Sequence, residues 1–300
     1  MKKLGSYKNG NYIVTMFDDG TKVRYNDLDY FTPEKPESID LKITNCCNGV
    51  NGMLCPQCHE KSNPNGKHGD IMNLKFIDTM LPYTEVAIGG GDPLTHPDFA
   101  PFLAKLKKRN LIANMTVNQW SFMQNLDKID WLIENELIHG LGVSLNDPTK
   151  EFIEAIKKYP NAVIHVICGV TTINQIKVLA HNGLKILILG YKEFGRGLML
   201  YSTNSAQIEA LKSDFYNSIS TIINEKWFDC VSFDNLAIEQ LNPKRLMSDD
   251  EWQKFYLGND GFASMYIDAV NEEFAKSSVS TERYPVEDDI KTMFDKVRSV

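Results

Sequence analysis

Four of the six cysteines lie within thirteen residues, in the segment TNCCNGVNGMLCPQCHE. Cys46 and Cys47 are adjacent, and Cys55 and Cys58 form a Cys-x-x-Cys pair that His59 follows directly. Thiols are concentrated in this way in zinc sites, redox dithiols and iron–sulfur clusters. The segment therefore predicts metal or redox chemistry.

These residues alone leave the three kinds of site open. A zinc site usually has two closely spaced ligand pairs, and adjacent Cys46 and Cys47 make a poor second pair. A redox Cys-x-x-Cys usually opens a helix, but the loop-like segment EKSNPNGKHGD follows here. A cluster held by three thiolates needs a loop that bends around it, which the Gly- and Asn-rich NGVNG (48–52) would allow.

A second motif, AIGGGDPLTHPDF (87–99), contains three consecutive glycines, Gly89, Gly90 and Gly91, followed by Asp92 and a proline. Consecutive glycines let the backbone come close to a ligand, so that its N–H and C=O groups bind a polar head group. A glycine turn by itself more often only connects a strand to a helix. Its place one strand after the cysteine segment favours a ligand site.

The elements that position these motifs form a regular alternation of apolar strands and amphipathic helices. Between strands, apolar residues recur at helical spacing, as at 99, 102, 103 and 106. Such alternation predicts parallel strands with right-handed crossovers, in an open partial barrel or a doubly wound sheet. In both, ligands bind at the C-terminal strand ends, where the cysteine segment begins. The predicted strands are 39–45, 85–90, 111–118, 140–146, 162–169 and 184–190.

The flanking segments predict a β-hairpin and a C-terminal α+β part. YIVTMFDDGTKVRYN (12–26) alternates around Asp-Gly, which predicts a hairpin at about residues 11–25. After residue 190 we expect a helix at 206–225, strands at 228–238 and 264–270, and a closing helix at 286–299. We predict three parts: the hairpin and linker at 1–38, the core at 39–197, and a segment at 198–300 that caps the core and shapes a substrate pocket.

The order and spacing of the two motifs resemble the radical S-adenosylmethionine (radical SAM) enzymes over roughly residues 39–197. The resemblance implies an α/β fold with a partial (β/α)6 TIM-like barrel. It also implies a [4Fe–4S] cluster bound by Cys47, Cys55 and Cys58, with S-adenosylmethionine on the open iron. The chain departs from the common pattern in its Cys-x7-Cys-x2-Cys spacing, which leaves Cys46 as a rival first ligand, and in Asp92, where glutamate is usual.

The resemblance further implies which residues contact S-adenosylmethionine. The glycine turn and Asp92 would receive its ammonium group, and polar residues at later strand ends would contact the rest. The implied partners are a small-molecule or peptide substrate and a one-electron donor such as flavodoxin or ferredoxin. The predicted cofactor-binding residues are Gly89, Gly90, Gly91, Asp92, Asn118, Ser144, Asn146, Lys192 and Arg196.

Two other functions compete with a radical enzyme: a binding module stabilised by structural zinc, and an activase that installs a glycyl radical on a partner enzyme. The formal charge of −7 gives no support to nucleic-acid binding, although it does not exclude it. The N-terminus lacks the apolar core of a secretory signal, and no apolar run approaches a membrane span. We therefore expect a cytoplasmic protein.

Overall fold

The computed structural model describes residues 1–28 and 30–299, and the chain begins with a three-stranded antiparallel sheet. Its strands are β1 (Lys3–Asn9), β2 (Tyr12–Phe17) and β3 (Lys22–Tyr25), in that spatial order. Strands β2 and β3 are the predicted hairpin, and Gly20 in their turn has a φ of 87°, a conformation that favours glycine. The structure adds β1, which the sequence pattern did not predict.

The other ten strands form one large sheet in the order β10-β9-β8-β7-β6-β5-β4-β11-β12-β13. Neighbours from β10 to β11 are parallel, and β12 and β13 are antiparallel additions. Strands β4 to β9 confirm the six predicted strands. The bounds are β4 (Ser38–Thr44), β5 (Glu85–Gly90), β6 (Ile112–Asn118), β7 (Gly140–Ser144), β8 (Ala162–Ile167), β9 (Lys185–Leu189), β10 (Cys230–Phe233), β11 (Ser264–Asp268), β12 (Glu273–Ala275) and β13 (Tyr284–Pro285).

Helices connect the parallel strands. They are α1 (Phe99–Lys108), α2 (Gln119–Gln124), α3 (Leu126–Glu134), α4 (Lys150–Ile156), α5 (Ile173–Leu179), α6 (Gly195–Asn224), α7 (Asn235–Leu241), α8 (Asp249–Phe255) and α9 (Ile290–Arg298). Across residues 1–28 and 30–299, none of the helices is both long and apolar enough to cross a bilayer.

One predicted strand is shorter than expected and is followed by a helix. Residues 228–238 divide into the short strand β10 and the helix α7, because the Asp234 carboxylate accepts a hydrogen bond from the Ala237 N–H (2.7 Å) and caps the helix. The predicted closing helix begins later than expected, at Ile290, where Asp289 caps it in the same way.

The two faces of the parallel sheet differ. On β4, Ile39, Leu41 and Ile43 are buried in the main core with the helices, and the other parallel strands also place alternate apolar residues there. Asp40 on the opposite face is accessible, and so in part is His165 of β8. A doubly wound sheet would be covered by helices on both faces. Here helices cover one face and the other is open, as in the wall of a barrel.

The sheet is not closed, since β10 and β13 lie at its two ends. Its parallel part contains eight strands, from β4 to β11, whereas a (β/α)6 unit contains six. The additional strand β11 comes from the C-terminal part and pairs with β4. The fold is thus mixed α/β with a large parallel sheet, and the six-unit description stays a prediction.

A buried ion network joins the N-terminal sheet to the amino-terminal ends of β4 and β5. Glu37, which is 1% exposed, accepts two hydrogen bonds from the Arg24 guanidinium (2.8 and 3.1 Å) and one from the Tyr12 hydroxyl. Lys22 forms an ion pair with Glu85 (2.8 Å). This end of the large sheet lies opposite the strand ends where the cysteine segment begins.

We predict that Glu37→Ala lowers the free energy of unfolding by about 3–5 kcal/mol, because it leaves the Arg24 charge buried without its carboxylate. The measurement is the midpoint of urea unfolding, with Glu134→Ala on exposed α3 as the control. A loss below about 1 kcal/mol, the range of exposed ion pairs, would contradict this role for the network.

Candidate functional site

The cysteine loop follows β4 and is folded back on itself by backbone hydrogen bonds. The Asn45 N–H donates to the Lys67 carbonyl (2.8 Å), and the Cys47 N–H donates to the Asn63 carbonyl (3.0 Å). Gly49 and Gly52 have positive φ values of 69° and 79°, which bend the segment between the cysteines. The loop thus returns to its own start.

The three predicted cluster ligands lie on this loop and are partly buried. Burial raises the pKa of the Cys47 and Cys55 thiols, and the nearby charge of Cys58 raises the pKa of both further. The Arg196 guanidinium acts in the opposite direction on both. The three sulfur atoms therefore share one region beside a cation, and this donor set fits the chemistry of an iron–sulfur cluster.

Cys46, the rival first ligand, is engaged elsewhere. Its Sγ donates to the Gly66 carbonyl oxygen at 2.9 Å. Over the residues that the structure describes, no three His, Cys, Asp or Glu side chains are gathered to hold a single metal ion.

The glycine turn lies directly on the cysteine loop. The Gly91 N–H donates to the Thr44 carbonyl (2.6 Å), and the Asp92 N–H donates to the Cys46 carbonyl (2.7 Å). A Cβ atom at Gly91 would lie 2.2 Å from the Cys46 oxygen, whereas one at Gly89 would have no heavy atom within 4 Å. Gly91 therefore allows close packing of turn on loop, and Gly89 leaves open space above the sheet.

Asp92 is held by two donors. Its carboxylate accepts hydrogen bonds from the Leu94 N–H (3.1 Å) and from the Ser121 hydroxyl (2.6 Å). Ser121 lies in the first turn of α2, where Asn118 caps the helix by accepting from the Ser121 N–H (2.8 Å). Asn118 also donates to the Gly49 carbonyl of the cysteine loop (3.3 Å). The sequence analysis missed Ser121, although the N-cap spacing from Asn118 was a readable signal.

Two predicted residues present polar atoms without partners. The hydroxyl of Ser144, at the end of β7, has no hydrogen bond within the described ranges of the chain. The Oδ1 atom of Asn146 is buried and has no partner there either. The Asn146 backbone is fixed, because its N–H donates to Gln119 Oε1 (2.9 Å). Both side chains can therefore still accept a hydrogen bond from a ligand.

Arg196, at the start of α6, binds the cysteine loop. Its Nε donates to the Cys55 carbonyl (2.9 Å), its terminal nitrogen donates to the Ser62 carbonyl (3.0 Å), and its backbone N–H donates to the Cys58 carbonyl (2.9 Å). At Gly195, a Cβ would lie 2.2 Å from the His59 carbonyl oxygen, so this helix end packs tightly on the loop. Arg196 is thus a clamp on the loop.

A polar cavity of about 160 Å³ lies on the open face of the sheet and extends to Gly90 of the glycine turn. A second cavity of about 240 Å³ shares several of its residues and continues toward Phe194 and Arg283. Alternation in IDLKIT could have indicated that Asp40 and Lys42 face one side. The first cavity is lined by Asp40, Leu41, Lys42, His59, Glu60, Ala87, Ile88, Gly89, Gly90, Thr116, Lys192, Tyr266 and Ser278.

The charged groups of one wall of the cavity are paired with one another. Lys42 forms ion pairs with Glu60 (2.6 Å) and Asp268 (2.9 Å), and Glu60 also accepts a hydrogen bond from the Tyr266 hydroxyl (3.1 Å). Burial alone would raise the pKa of Glu60, but the His59 and Lys42 partners outweigh it and lower that pKa. The charged groups of this wall are thus paired with one another, and one cation against two carboxylates leaves it net negative.

The rest of the cavity is acidic. Asp40 is accessible from the cavity, yet protein surrounds it, and this burial raises its pKa to about 6. The Asp260 and Asp234 charges act in the same direction, and Lys192 opposes them. Burial, with the Lys192 charge, lowers the pKa of His165 to about 4. At neutral pH Asp40 is therefore ionised, and His165 on the same face of the sheet is neutral.

Comparison with known proteins identifies the fold. No family model and no curated protein matches this sequence. SuiB of Streptococcus suis is similar in structure: with its precursor peptide SuiA bound it gives a TM-score of 0.58 at 14% identity, over 89% of this chain and 67% of SuiB. SuiB bound to S-adenosylmethionine gives 0.52 at 13% identity, over 85% of this chain and 64% of SuiB. The chain spans about two thirds of SuiB, and the likeness is one of fold.

We predict that Gly91→Ala lowers the free energy of unfolding by about 1–3 kcal/mol, because the new methyl group overlaps the Cys46 carbonyl. Gly89→Ala is the matched control, since its methyl group enters open space and the strand loses less entropy on folding. Chemical denaturation of both variants is the measurement. Equal losses in the two would contradict the packing described for Gly91.

We also predict that Asp40→Asn stabilises the protein at pH 8 and not at pH 4. The folded pKa of about 6 lies above the usual 3.8, so folding of the wild type weakens as pH rises through this window. Because the side chain is accessible, solvent screening reduces the gain above pH 6 to about 1 kcal/mol. Thermal or urea unfolding across pH tests this, with Asp214→Asn on exposed α6 as control. A gain independent of pH would refute it.

Proposed function

We propose that this chain is a radical SAM enzyme, with a [4Fe–4S] cluster on Cys47, Cys55 and Cys58 and S-adenosylmethionine at the adjacent strand ends. The observation that carries the proposal is the pair of backbone hydrogen bonds that hold the glycine turn on the cysteine loop. They bring a three-thiol loop and a ligand-accessible backbone to one edge of a parallel sheet. A fold similar to SuiB, which binds S-adenosylmethionine, supports it.

The protein's own groups would prepare this site. When bound, the cluster supplies the electron that cleaves S-adenosylmethionine to methionine and a 5′-deoxyadenosyl radical, which abstracts hydrogen from the substrate. Arg196 holds the loop carbonyls, and its charge acts to lower the pKa of the Cys47 and Cys55 thiols. Asp92 keeps lone pairs beyond its two neutral donors, so it can also accept from an ammonium group.

The remaining strand ends fit the nucleoside half of the ligand. Within residues 1–28 and 30–299 the Ser144 hydroxyl and the Asn146 Oδ1 atom have no hydrogen-bond partner, and they suit the hydroxyl and amino groups of a nucleoside. Asn118 already spans from the α2 cap to the cysteine loop, so it would position the loop beside the ligand. Lys192 lines the cavity, so we assign it to the substrate and not to S-adenosylmethionine.

We place the substrate in the polar cavity, with walls supplied partly by Tyr266 and Ser278 of the C-terminal segment. SuiB has been seen with a precursor peptide bound, and this favours a peptide substrate over an isolated small molecule. A donor such as flavodoxin or ferredoxin would supply the electron. The division into parts 1–38, 39–197 and 198–300 stays a prediction. Strand β11 of the last part pairs with β4, so that part contributes a strand to the main sheet.

The test is anaerobic purification and iron–sulfide reconstitution, followed by metal analysis and incubation with S-adenosylmethionine and a reductant. We expect a brown protein with about four irons per chain, and formation of 5′-deoxyadenosine and methionine. Stoichiometric zinc without iron would refute the proposal in favour of a zinc-stabilised binding module. A glycyl-radical activase would also release 5′-deoxyadenosine, but electron paramagnetic resonance would then find the radical on a partner enzyme.

We predict that Cys47→Ala, Cys55→Ala and Cys58→Ala each lose the cluster, because each removes one of three thiolates. Cys46→Ala is the matched control and should retain its iron, since the Cys46 thiol is hydrogen-bonded to the Gly66 carbonyl. Iron content and visible absorption after identical reconstitution are the measurements. Loss of iron in the Cys46 variant, with retention in the Cys47 variant, would reassign the first ligand.

A further inference from the structure

Two opposite charges in the polar cavity face the same space without pairing. Asp40 and Lys192 both line it, yet within residues 1–28 and 30–299 they form no ion pair at the 4.0 Å limit. Within the described residues, the Lys192 ammonium donates one hydrogen bond, to the uncharged Ser278 hydroxyl at 2.9 Å. The Asp40 carboxylate has no hydrogen-bond donor in the described part of the chain. Both groups therefore retain hydrogen-bonding capacity.

A neighbouring charged residue in the same cavity is paired, in contrast to Asp40 and Lys192. Lys42 is also on the cavity face of β4, and it contacts two carboxylates at 2.6 and 2.9 Å. Asp40 is accessible and Lys192 is partly buried, so both charged groups can be reached from the cavity. An unpaired Asp40 and Lys192 in one cavity are thus able to bind partners from outside the chain.

The charges around Asp40 favour a cation. The carboxylates of Asp234, Asp260 and Glu85 all act on it, and Lys192 is the cation among its principal electrostatic neighbours. Asp234 is already used, since it accepts from the Gly190 and Ala237 N–H groups. A cationic ligand group beside Asp40 would balance this negative potential.

The floor between the two charges is open. Asp40 and Lys42 of β4 pair in register with Ala87 and Gly89 of β5, and the space above Gly89 is free of heavy atoms to 4 Å. The small residues of β5 therefore leave room for a ligand across the sheet. Lys192, which follows β9, provides the cation in the same cavity.

We propose that the Asp40–Lys192 pair selects a zwitterionic ligand, with a protonated amine at Asp40 and a carboxylate at Lys192. This inference rests on the proposed function only in treating the cavity as the substrate site. A free amino acid and a peptide with one basic and one acidic side chain share this chemistry. Because Asp40 titrates among Lys192, Asp234, Asp260 and Glu85, binding should weaken as pH falls through about 6.

The experiment measures binding of a ladder of ω-amino acids, from glycine through 3-aminopropanoate and 4-aminobutanoate to 6-aminohexanoate. Butylamine, butanoate and butanol are the single-charge and neutral comparisons. Binding is followed by calorimetry or by ligand-induced thermal shift. We expect one chain length to bind about tenfold or more tighter than any comparison probe, as charge-assisted hydrogen bonds would give.

Variants separate the two ends of the ligand. Asp40→Asn should weaken binding of the best ω-amino acid and of butylamine by about tenfold and leave butanoate binding unchanged. Lys192→Gln should weaken binding of the ω-amino acid and of butanoate by about tenfold and leave butylamine binding unchanged. Asp214→Asn on α6 is the matched control and should change none of them. If a variant fails to fold, the wild-type probe series and its pH dependence still decide the question.

Further arms identify the source of the ligand and the outcomes that overturn the proposal. A blocked ornithine–aspartate dipeptide that binds tighter than the free ω-amino acids indicates a peptide, and the converse order indicates a free amino acid.

Zwitterions that bind no better than butanol overturn the proposal. A parallel loss of S-adenosylmethionine affinity in Asp40→Asn would also overturn it, by assigning the pair to that ligand's own head group. Iron content and 5′-deoxyadenosine formation are scored separately, so failure of the proposed function is distinguishable.

Discussion

The backbone hydrogen bonds from Gly91 to Thr44 and from Asp92 to Cys46 join two segments that follow different strands. They form only because Gly91 has no side chain, since a Cβ would meet the Cys46 oxygen at 2.2 Å. These two bonds fix the start of the cysteine loop, at Cys46, relative to Asp92. The Asp92 contact with Ser121 then extends this support to α2.

Arg196 supplies the second fixed point of the cysteine loop. It contacts the carbonyls of Cys55 and Ser62 across 141 and 134 residues of sequence. The loop is thereby held at both ends, by β5 through the glycine turn and by α6 through Arg196. The same guanidinium favours ionised thiols. One side chain thus serves the geometry and the electrostatics of the site.

The open face of the sheet divides its charges unequally. Lys42 pairs with both Glu60 and Asp268, and these contacts stabilise the wall formed with β11. Asp40 remains ionised at neutral pH at a cost to folding, and it accepts no hydrogen bond from the part of the chain that the structure describes. Proteins retain such destabilising groups where a ligand uses them. This contrast connects the stability of the fold to our proposal for the ligand.

Local patterns in the sequence determined the six strands β4 to β9, the hairpin and the positions of the cysteine loop and glycine turn, because alternation, apolar runs and glycines act over a few residues. Local patterns could not determine that Arg196 binds the loop, that Ser121 holds Asp92, or that Lys192 shares a cavity with Asp40. They also suggested a strand at 228–238, where the Asp234 cap starts a helix. These features depend on side chains that meet only after distant strands pair, so they were decided by the tertiary structure.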